Sequence, residues 1–260
     1  MSGPQLDPRA ATAAYYDLAP DFPPDAPFYL EQLPNPTATV LELGCGTGRV
    51  SVALAAPAGF FHGVDLSAAM VERCQARLRA AGIAPHRAAV TLGDITQLQL
   101  GARFDLVVAP YRVFQNLTTE PQIAGLFSVI RAHLAPGGRC ILNTFRPYAD
   151  PATLLATWRA SGEDLDWEVP ADGGRVACYI RRAGVTPDPL VLRPELIYRR
   201  YQGDALVDEA VSAIAMRCWY PDELLARLQT EGFAVTGRWG GYAGEPYGTG
   251  PELVVAFTDA

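Results

Sequence analysis

The sequence predicts an α/β fold with a mostly parallel sheet and helices on both of its faces. Strand-like and helix-like segments alternate from Thr39 onward, which is the order that produces a parallel sheet. The first strand, Thr39–Leu43, runs into a turn with glycine at positions 44, 46 and 48, and an alanine-rich helix follows it. Ligands of such sheets bind beyond the carboxyl ends of the strands, so this turn is the first candidate site.

Apolar runs, helix caps and helix breakers place the remaining elements. Five parallel strands are predicted over Thr39–Leu43, Phe60–Asp65, Ala88–Leu92, Phe104–Ala109 and Arg139–Phe145. Helices are predicted over Ala11–Leu18, Phe28–Leu33, Gly48–Ala56, Ser67–Gly82, Glu120–Leu134 and Pro221–Glu231. Two more strands, Phe233–Trp239 and Leu253–Thr258, complete a seven-stranded sheet.

Composition limits the class of protein. With 260 residues, of which 49% are hydrophobic and 19% charged, the chain can bury a substantial core, and we expect one domain with an insertion. The net charge of −7 argues against a large nucleic-acid interface. The sequence has no run of 18 apolar residues, and its five cysteines lack metal-site spacing. We therefore expect a cytoplasmic monomer or homodimer with no bound metal and no membrane or nucleic-acid partner.

The glycine turn suits a cofactor, and the residues around it indicate which kind. Glycine tolerates positive φ and lets a ligand approach the backbone, while the following helix presents free N–H groups. The dinucleotide fingerprint needs glycine or alanine at its sixth position, where this turn has Arg49. Glu42 at the strand end would repel a pyrophosphate and suits a ligand with an ammonium or sulfonium group. Asp65, which ends the second strand, can accept hydrogen bonds from both hydroxyls of a ribose.

Five segments resemble, in order, the motifs of the class I S-adenosylmethionine-dependent methyltransferase family. They are the glycine motif 42–48, the ribose-binding strand end 64–67, the adenine-binding segment 93–95, the fourth strand 104–109 and the turn 134–138. The resemblance covers residues 40–145. It implies a Rossmann-like seven-stranded sheet, mostly parallel with an antiparallel last strand, and S-adenosylmethionine as the cofactor. It also implies a helical N-terminal lid over that cofactor.

On this resemblance, twelve residues are predicted to bind the cofactor: Tyr16, Glu42, Gly44, Cys45, Gly46, Arg49, Asp65, Leu66, Met70, Asp94, Ile95 and Ala109. Several have a structural alternative. Tyr16 contacts the methionine end or caps the core, and Asp94 recognises the adenine amino group or caps its own turn. Arg49 binds the methionine carboxylate or is a solvated residue of the first helical turn. Asp65 binds the ribose or caps a helix, and Glu42 is expected to orient loop amides or water.

The stretch after the fourth strand, Ala109 to Leu117, faces the transferable methyl group in this family. It lacks the Asn/Asp-Pro-Pro-Tyr signature of methyltransferases that act on the amino groups of adenine or glutamine, and it has no Pro-Cys nucleophile for cytosine. Both departures argue against a nucleic-acid substrate. Tyr111 and Gln115 are predicted to contact the acceptor, with core packing as the alternative for Tyr111.

Residues 150–217 fall outside the core pattern and are predicted to form a small antiparallel β-rich insert over the active site. A helix and three β-rich segments are predicted there, over Ala152–Ala160, Val176–Ala183, Glu195–Tyr201 and Leu206–Arg217. The predicted domains are an N-terminal lid (1–37), a cofactor-binding core (38–149 and 218–260) and the insert (150–217). Arg146 and Tyr179 are predicted to contact the acceptor, although the tyrosines and arginines of the insert also suit a solvated sheet face.

The predicted reaction is the transfer of a methyl group from S-adenosylmethionine to a nitrogen or oxygen atom of a small-molecule acceptor by in-line displacement. The cofactor supplies the leaving group, so the protein mainly positions the reactants and excludes water. None of the three histidines is a convincing base, and no catalytic residue is assigned. The alternatives are a non-catalytic S-adenosylmethionine-binding regulator or scaffold and a dinucleotide-dependent oxidoreductase.

Overall fold

The computed structural model describes residue 7, residues 9–158 and residues 162–259. The α-helices of this part of the chain are α1 (Ala13–Tyr16), α2 (Asp25–Glu31), α3 (Arg49–Ala55), α4 (Ala68–Ala80), α5 (Glu120–His133), α6 (Pro151–Thr157) and α7 (Pro221–Thr230). The strands are β1 (Thr39–Leu43), β2 (Phe60–Asp65), β3 (Ala88–Leu92), β4 (Phe104–Ala109), β5 (Leu134–Phe145), β6 (Glu163–Ala171), β7 (Gly174–Pro187), β8 (Leu190–Gln202), β9 (Ala205–Ala213), β10 (Met216–Arg217), β11 (Phe233–Trp239) and β12 (Glu252–Asp259).

The main sheet has seven strands in the order β11-β12-β5-β4-β1-β2-β3. Strands β1 to β5 pair in parallel, whereas β12 runs antiparallel to both β5 and β11. The predicted mostly parallel sheet with an antiparallel last strand is therefore confirmed. This order places the carboxyl ends of β1, β2, β4 and β5 on one edge, where the candidate residues follow.

Both faces of the main sheet are buried, which is why its central strands are continuously apolar. Leu41 and Val107 belong to a buried cluster that includes side chains of α5 and α7. Their chain neighbours Val40 and Leu106 belong to a second cluster, with side chains of α2, α3 and α4. Successive residues of a strand point to opposite faces, so each central strand contributes to both cores.

A second, antiparallel sheet is formed by β6 to β10, in the order β10-β8-β7-β6 with β9 also paired to β8. This confirms the predicted β-rich insert. Cys178 of β7 lies between Trp167 of β6 and Tyr198 of β8, and Tyr198 in turn pairs with Ala210 of β9. These four residues share one face, which packs on Tyr15 of α1. We call it the inner face.

Strand β6 was not predicted. Its sequence has four acidic residues and a proline among nine residues, a composition that is depleted in strands. Such residues are tolerated because β6 lies at an edge, where one side of the strand makes no ladder bonds and charge discourages further pairing. The segment predicted as one strand over Leu206–Arg217 is divided into β9 and β10.

Other boundaries differ by a few residues. Strand β5 begins at Leu134, five residues before the predicted start, and α1 is shorter than the predicted helix. The end of the helix predicted over Ala152–Ala160, and the start of the predicted lid, lie outside the described residues. Among the residues described, no helix has the length and apolar character needed to cross a membrane.

Candidate active site

A small cavity lies beside the glycine turn, at the carboxyl ends of β1 and β4. It has a volume of about 30 Å³ and is lined by Tyr16, Glu42, Gly44, Cys45, Gly46, Thr47, Arg49, Val50, Pro110 and Tyr111. Six of the twelve predicted cofactor residues and Tyr111 of the predicted acceptor residues are thus brought together. A larger cavity of about 340 Å³ lies by the start of β4, near Asp105 and Gly137. Its lining includes none of the predicted site residues.

The backbone of the turn requires glycine. Gly44, Gly46 and Gly48 have φ values of 74°, 53° and 89°, in the left-handed region that other residues rarely adopt. A Cβ atom on Gly44 would lie 2.5 Å from a methyl group of Val113, whereas one on Gly46 would meet nothing within 4 Å. The turn is therefore tightly packed at its start and open at its middle, where a ligand can approach the backbone.

Asp65 joins the glycine turn to the start of α4. One carboxylate oxygen accepts the Gly46 N–H at 2.9 Å, and the other accepts the Ser67 N–H at 2.9 Å. Burial raises the pKa of Asp65 above its ordinary value, although these two hydrogen bonds act in the opposite direction. Each carboxylate oxygen has a further lone pair that can accept a hydrogen bond from a ligand hydroxyl.

Glu42 lies beneath the turn and is fully buried. Its Oε2 accepts the Ser51 hydroxyl at 2.6 Å, and burial raises its pKa well above the ordinary value. Burial thus favours the uncharged carboxyl group. An uncharged Glu42 repels a pyrophosphate less than the sequence alone suggested, because the repulsion depends on a charged carboxylate.

Arg49 is paired rather than solvated. Its guanidinium makes a two-pronged ion pair with Asp25 of α2, a carboxylate with no exposed surface, and one nitrogen of the pair lies 2.8 Å from Oδ2. The same guanidinium lies 4.9 Å from the ring centre of Phe22 and 5.4 Å from that of Tyr111. Arg49 therefore ties the glycine turn to the N-terminal segment, by which we mean residues 9–37.

Three aromatic rings gather at the cavity. Tyr16 lies 5.7 Å from Phe22 and 6.4 Å from Tyr111 between ring centres, and Phe22 lies 5.5 Å from Tyr111. Burial raises the pKa of both phenols, so they stay neutral. Aromatic faces attract cations, by about 0.5–2 kcal/mol depending on desolvation. We call Tyr16, Phe22 and Tyr111 the aromatic cluster.

The turn that carries Tyr111 is strained. Tyr111 and Arg112 have φ values of 52° and 67°, two successive left-handed residues of which neither is glycine. Each such residue costs about 1–3 kcal/mol and persists where its surroundings hold it. Here the Arg112 N–H donates to Asn143 Oδ1 at 3.0 Å, and the Arg112 guanidinium pairs with Glu252 at 2.6 Å.

The N-terminal segment bonds to both sheets. Asp17 accepts the Thr47 hydroxyl at 2.6 Å and pairs with Arg77 of α4 at 3.0 Å. On its other side, Tyr15 stacks on Tyr198 with ring centres 5.5 Å apart and donates to Asp208 of β9. Asp17 therefore anchors α1 to the core, and Tyr15 anchors it to the second sheet.

The remaining predicted cofactor residues follow the strand ends. Asp94 accepts the Thr96 N–H at 2.8 Å and the Thr96 hydroxyl at 2.7 Å, so it caps its own turn. Leu66, beside Asp65, is 45% exposed despite its apolar side chain. Met70 and Ala109 are buried, and Ile95 packs against the core that contains α5.

Three residues predicted to contact the acceptor make other contacts. Gln115 is fully buried, and its amide accepts the Phe145 N–H at 2.8 Å and donates to the Arg217 carbonyl at 3.1 Å. Arg146 donates to the Gly250 carbonyl at 2.6 Å. Tyr179 is the chain neighbour of Cys178 and so lies on the opposite, outer face of the second sheet, beneath the Arg199 guanidinium.

The structure adds residues that the sequence analysis did not single out. Phe22 and Asp25 lie in a proline-rich stretch that was treated as a connection, and Glu252 looked like an ordinary strand start. Tyr198 was one of the insert tyrosines for which substrate binding and a solvated sheet face were both left open. It is 4% exposed and stacks on Tyr15.

Comparison with known proteins identifies the family. Residues 40–138 match a methyltransferase domain. The chain is 27% identical over 250 residues to the cypemycin N-terminal methyltransferase of a Streptomyces species, covering 95% of this chain and 94% of the relative. These matches confirm the resemblance that the sequence predicted, and the protein is an S-adenosylmethionine-dependent methyltransferase.

The methyltransferase has further relatives. It is 26% identical over 121 residues to a dTDP-3-amino-3,4,6-trideoxy-alpha-D-glucopyranose N,N-dimethyltransferase of Streptomyces venezuelae, covering 46% of this chain and 47% of the relative. Its fold matches the CcbJ methyltransferase of Streptomyces caelestis with a TM-score of 0.74, at 23% identity and with 98% of each chain covered. The predicted cofactor, S-adenosylmethionine, is confirmed for this family.

Proposed function

We propose that this methyltransferase transfers a methyl group from S-adenosylmethionine to the nitrogen of a small-molecule amine. The observation that carries the proposal is the aromatic cluster, which places three aromatic rings beside the glycine turn. The names of two relatives, one an N-terminal methyltransferase and one an amino-sugar N,N-dimethyltransferase, support nitrogen as the acceptor atom. The sequence had left nitrogen and oxygen open.

The residues around the cavity fit this cofactor. The backbone at Gly46 is open to a ligand, and Asp65 beside it is placed to accept hydrogen bonds from the ribose hydroxyls. Leu66 offers an exposed apolar surface for the adenine ring. In this assignment Tyr16 and Arg49 lie at the methionine end. Cys45, Met70, Asp94, Ile95 and Ala109 complete the predicted set.

When bound, S-adenosylmethionine would supply a methyl carbon as the electrophile, and its sulfur would leave as the neutral thioether of S-adenosylhomocysteine. The protein contributes position and the exclusion of water. The faces of Tyr16 and Tyr111 favour a positive charge between them, and their neutral phenols can hold an amine by hydrogen bonds. Alignment of the attacking nitrogen with the bond that breaks can account for about 7–11 kcal/mol of the barrier.

No residue is assigned as a general base. The histidines are not among the residues that line the cavity, and the phenols of the aromatic cluster have raised pKa values that make them poor bases at neutral pH. An amine does not need a protein base if it enters uncharged. An amine acceptor therefore suits this site better than a hydroxyl, which needs its proton removed.

The inner face of the second sheet is proposed as the acceptor side. Tyr198 projects from this face toward α1, and Trp167 lies 6.0 Å from it between ring centres. Asp166 is the extra residue of a β-bulge, between Leu165 and Trp167, and bulges commonly redirect a side chain near a site. Burial is the main cause of the raised pKa of Cys178 and of Tyr198, and the charge of Asp166 contributes to both. We assign the carboxylate of Asp166 to the inner face as part of this proposal.

The test has a binding arm and a turnover arm. We expect S-adenosylmethionine and S-adenosylhomocysteine to raise the melting temperature of the purified protein, while NAD and NADP at equal concentration do little. The protein is then incubated with S-adenosylmethionine labelled on its methyl group, together with amino sugars, peptides with a free N-terminus and matched hydroxyl compounds. Label should enter amines.

Each failure has a distinct meaning. Binding of S-adenosylmethionine without transfer to any amine or hydroxyl compound favours the alternative of a non-catalytic binding protein. Transfer to the hydroxyl compounds but not to amines would overturn the choice of nitrogen. Stabilisation by NAD rather than by S-adenosylmethionine would contradict the assignment of the glycine turn.

A further inference from the structure

The strained turn at the end of β4 is held by a closed ring of three hydrogen bonds. The Arg112 N–H donates to Asn143 Oδ1 at 3.0 Å, and Asn143 Nδ2 donates to Glu252 Oε2 at 3.0 Å. The ring closes where Arg112 Nη2 donates to Glu252 Oε1 at 2.6 Å. Backbone and side chain of Arg112 are thus fixed by two residues that also bond to each other.

The two anchoring residues are rigidly placed. Asn143 is near the end of β5, and Glu252 begins β12, which pairs with β5 over six residues. Asn143 is 1% exposed and Glu252 4% exposed, so both are firmly packed. A buried carboxylate needs a partner, and Arg112 supplies the positive charge. The anchor therefore belongs to the sheet, while the turn it holds belongs to the cavity.

What the ring controls is the direction of the Tyr111 side chain. Tyr111 directly precedes Arg112 and shares its left-handed backbone. Its ring contacts Phe22 and Tyr16, and the Arg49 guanidinium lies 5.4 Å from its centre. If Arg112 were released, the turn would relax toward ordinary φ values, and the ring would leave the aromatic cluster.

We propose that Glu252 is a positioning residue, which acts through Arg112 and Asn143 to hold the Tyr111 ring against the sulfonium end of the bound cofactor. The inference rests on the proposed function, because it takes the aromatic cluster as the place of the positive charge. It assigns a role in cofactor recognition to a residue of the last strand, which lies outside the methyltransferase motifs. Stability alone would not require two strained residues in a turn whose Tyr111 lines the cavity.

The test compares two ligands that differ in charge at sulfur. S-adenosylmethionine carries a cationic sulfonium, and S-adenosylhomocysteine carries a neutral thioether, so the ratio of their Kd values measures how well the site favours the positive charge. Titration calorimetry on wild type, Glu252→Gln and Arg112→Gly gives this ratio. The Kd ratio measured for Tyr111→Ala gives the value that remains without the aromatic side chain.

We expect Glu252→Gln to shift the ratio toward the neutral ligand by about three- to tenfold, close to the effect of Tyr111→Ala. Arg112→Gly should shift it similarly, because glycine accepts the positive φ but lacks the guanidinium that fixes the turn. This second variant relieves backbone strain and keeps the test valid if Glu252→Gln folds poorly. The matched control is Asp259→Asn, which removes an exposed ion pair with Arg131 on the same strand and should leave the ratio unchanged.

The outcomes separate the inference from the proposed function. Wild type that binds neither ligand overturns the proposed function and this inference with it. If wild type prefers the cation but Glu252→Gln keeps the full ratio while its melting temperature falls, Glu252 only stabilises the fold, and the inference is wrong. A loss of preference in Tyr111→Ala, Glu252→Gln and Arg112→Gly, but not in Asp259→Asn, supports it.

Discussion

The glycine-turn side of the cavity and the side that faces the second sheet differ in what determines their shape. On the first side, Gly44 to Gly48 and Asp65 are fixed by backbone geometry and by bonds to main-chain N–H groups. On the second, Tyr15 and Tyr198 are held by side-chain contacts between distant segments. Backbone-determined sites tolerate little change. Side-chain surfaces can be rebuilt one residue at a time, which suits the half of the site that is proposed to recognise the acceptor.

The largest effect should come from Gly44→Ala. The added methyl group meets Val113 at 2.5 Å in a left-handed backbone, so the turn must move. We expect S-adenosylmethionine affinity to fall by about 100-fold, measured by calorimetry on folded protein. Gly101→Ala is the control, because Gly101 also has positive φ but has open space around it. That variant should lose stability and keep its affinity. Equal affinities in both variants would contradict a backbone-determined cofactor side.

Asp65→Ala should have the next largest effect. Loss of charge-assisted hydrogen bonds to the ribose costs about 1.5–3 kcal/mol, which is about a 10- to 100-fold weaker Kd for S-adenosylmethionine. Asp105→Asn is a matched control, since Asp105 also accepts two hydrogen bonds, both from Thr39, but at the start of the strands. An unchanged Kd in folded Asp65→Ala would remove this residue from the ribose site.

Changes on the inner face should affect the acceptor alone. We expect Tyr198→Phe, and separately Asp166→Asn, to raise the KM for an amine acceptor by about three- to tenfold while the Kd for S-adenosylmethionine stays constant. Steady-state kinetics with an acceptor found in the turnover assay gives the first value, and calorimetry gives the second.

Tyr179→Phe and Arg146→Ala are the companion variants. Tyr179 lies on the outer face, so its substitution should leave the acceptor KM unchanged. If Tyr179→Phe raises KM and Tyr198→Phe does not, the acceptor binds on the face that the sequence analysis proposed. A higher KM for the acceptor in Arg146→Ala would extend the acceptor side to the end of β5.

The smallest effect on binding should come from Glu42→Gln, which changes stability instead. Burial raises the pKa of Glu42 above its ordinary value of 4.5, so its stabilising contribution is complete below that pH and is lost as pH rises through the folded-state pKa. Glutamine keeps an acceptor for Ser51 and does not titrate. Above pH 4.5 the free energy of unfolding of the variant should therefore rise relative to that of wild type, by up to about 1.4 kcal/mol per pH unit.

Urea denaturation between pH 4.5 and 8 measures that difference in the free energy of unfolding. If this difference does not change with pH across the range, Glu42 is ionised and its charge is compensated by its surroundings. In that case its charge would again count against a pyrophosphate, and the affinity of Glu42→Gln for S-adenosylmethionine should fall.

The fold and the geometry of the glycine turn could be predicted because their causes are local in sequence. Alternating strand-like and helix-like segments predict the main sheet, and the positive φ values of the turn require glycine. Asp65 follows from its place at a strand end. Each of these needs only a few neighbouring residues to be recognised.

The rest depends on long-range partners. Arg49 was left between two roles because Asp25, 24 residues earlier, could not be matched to it, and Glu252 is 140 residues from Arg112. Tyr179 and Tyr198 have similar sequence surroundings, and only the strand register decides which one faces α1. Strand β6 was missed because an edge strand can be acidic.

The double attachment of the N-terminal segment has a consequence for the order of the reaction. The N-terminal segment borders the small cavity and is bonded on both sides, through Asp17 and Tyr15, so we expect S-adenosylmethionine to enter while these bonds are broken. When they re-form, we expect α1 to lie over the cofactor and Tyr15 to rejoin the surface that is proposed to receive the acceptor. We therefore expect a compulsory sequence in which S-adenosylmethionine adds first and S-adenosylhomocysteine leaves last. Product inhibition should then be competitive against S-adenosylmethionine and noncompetitive against the amine.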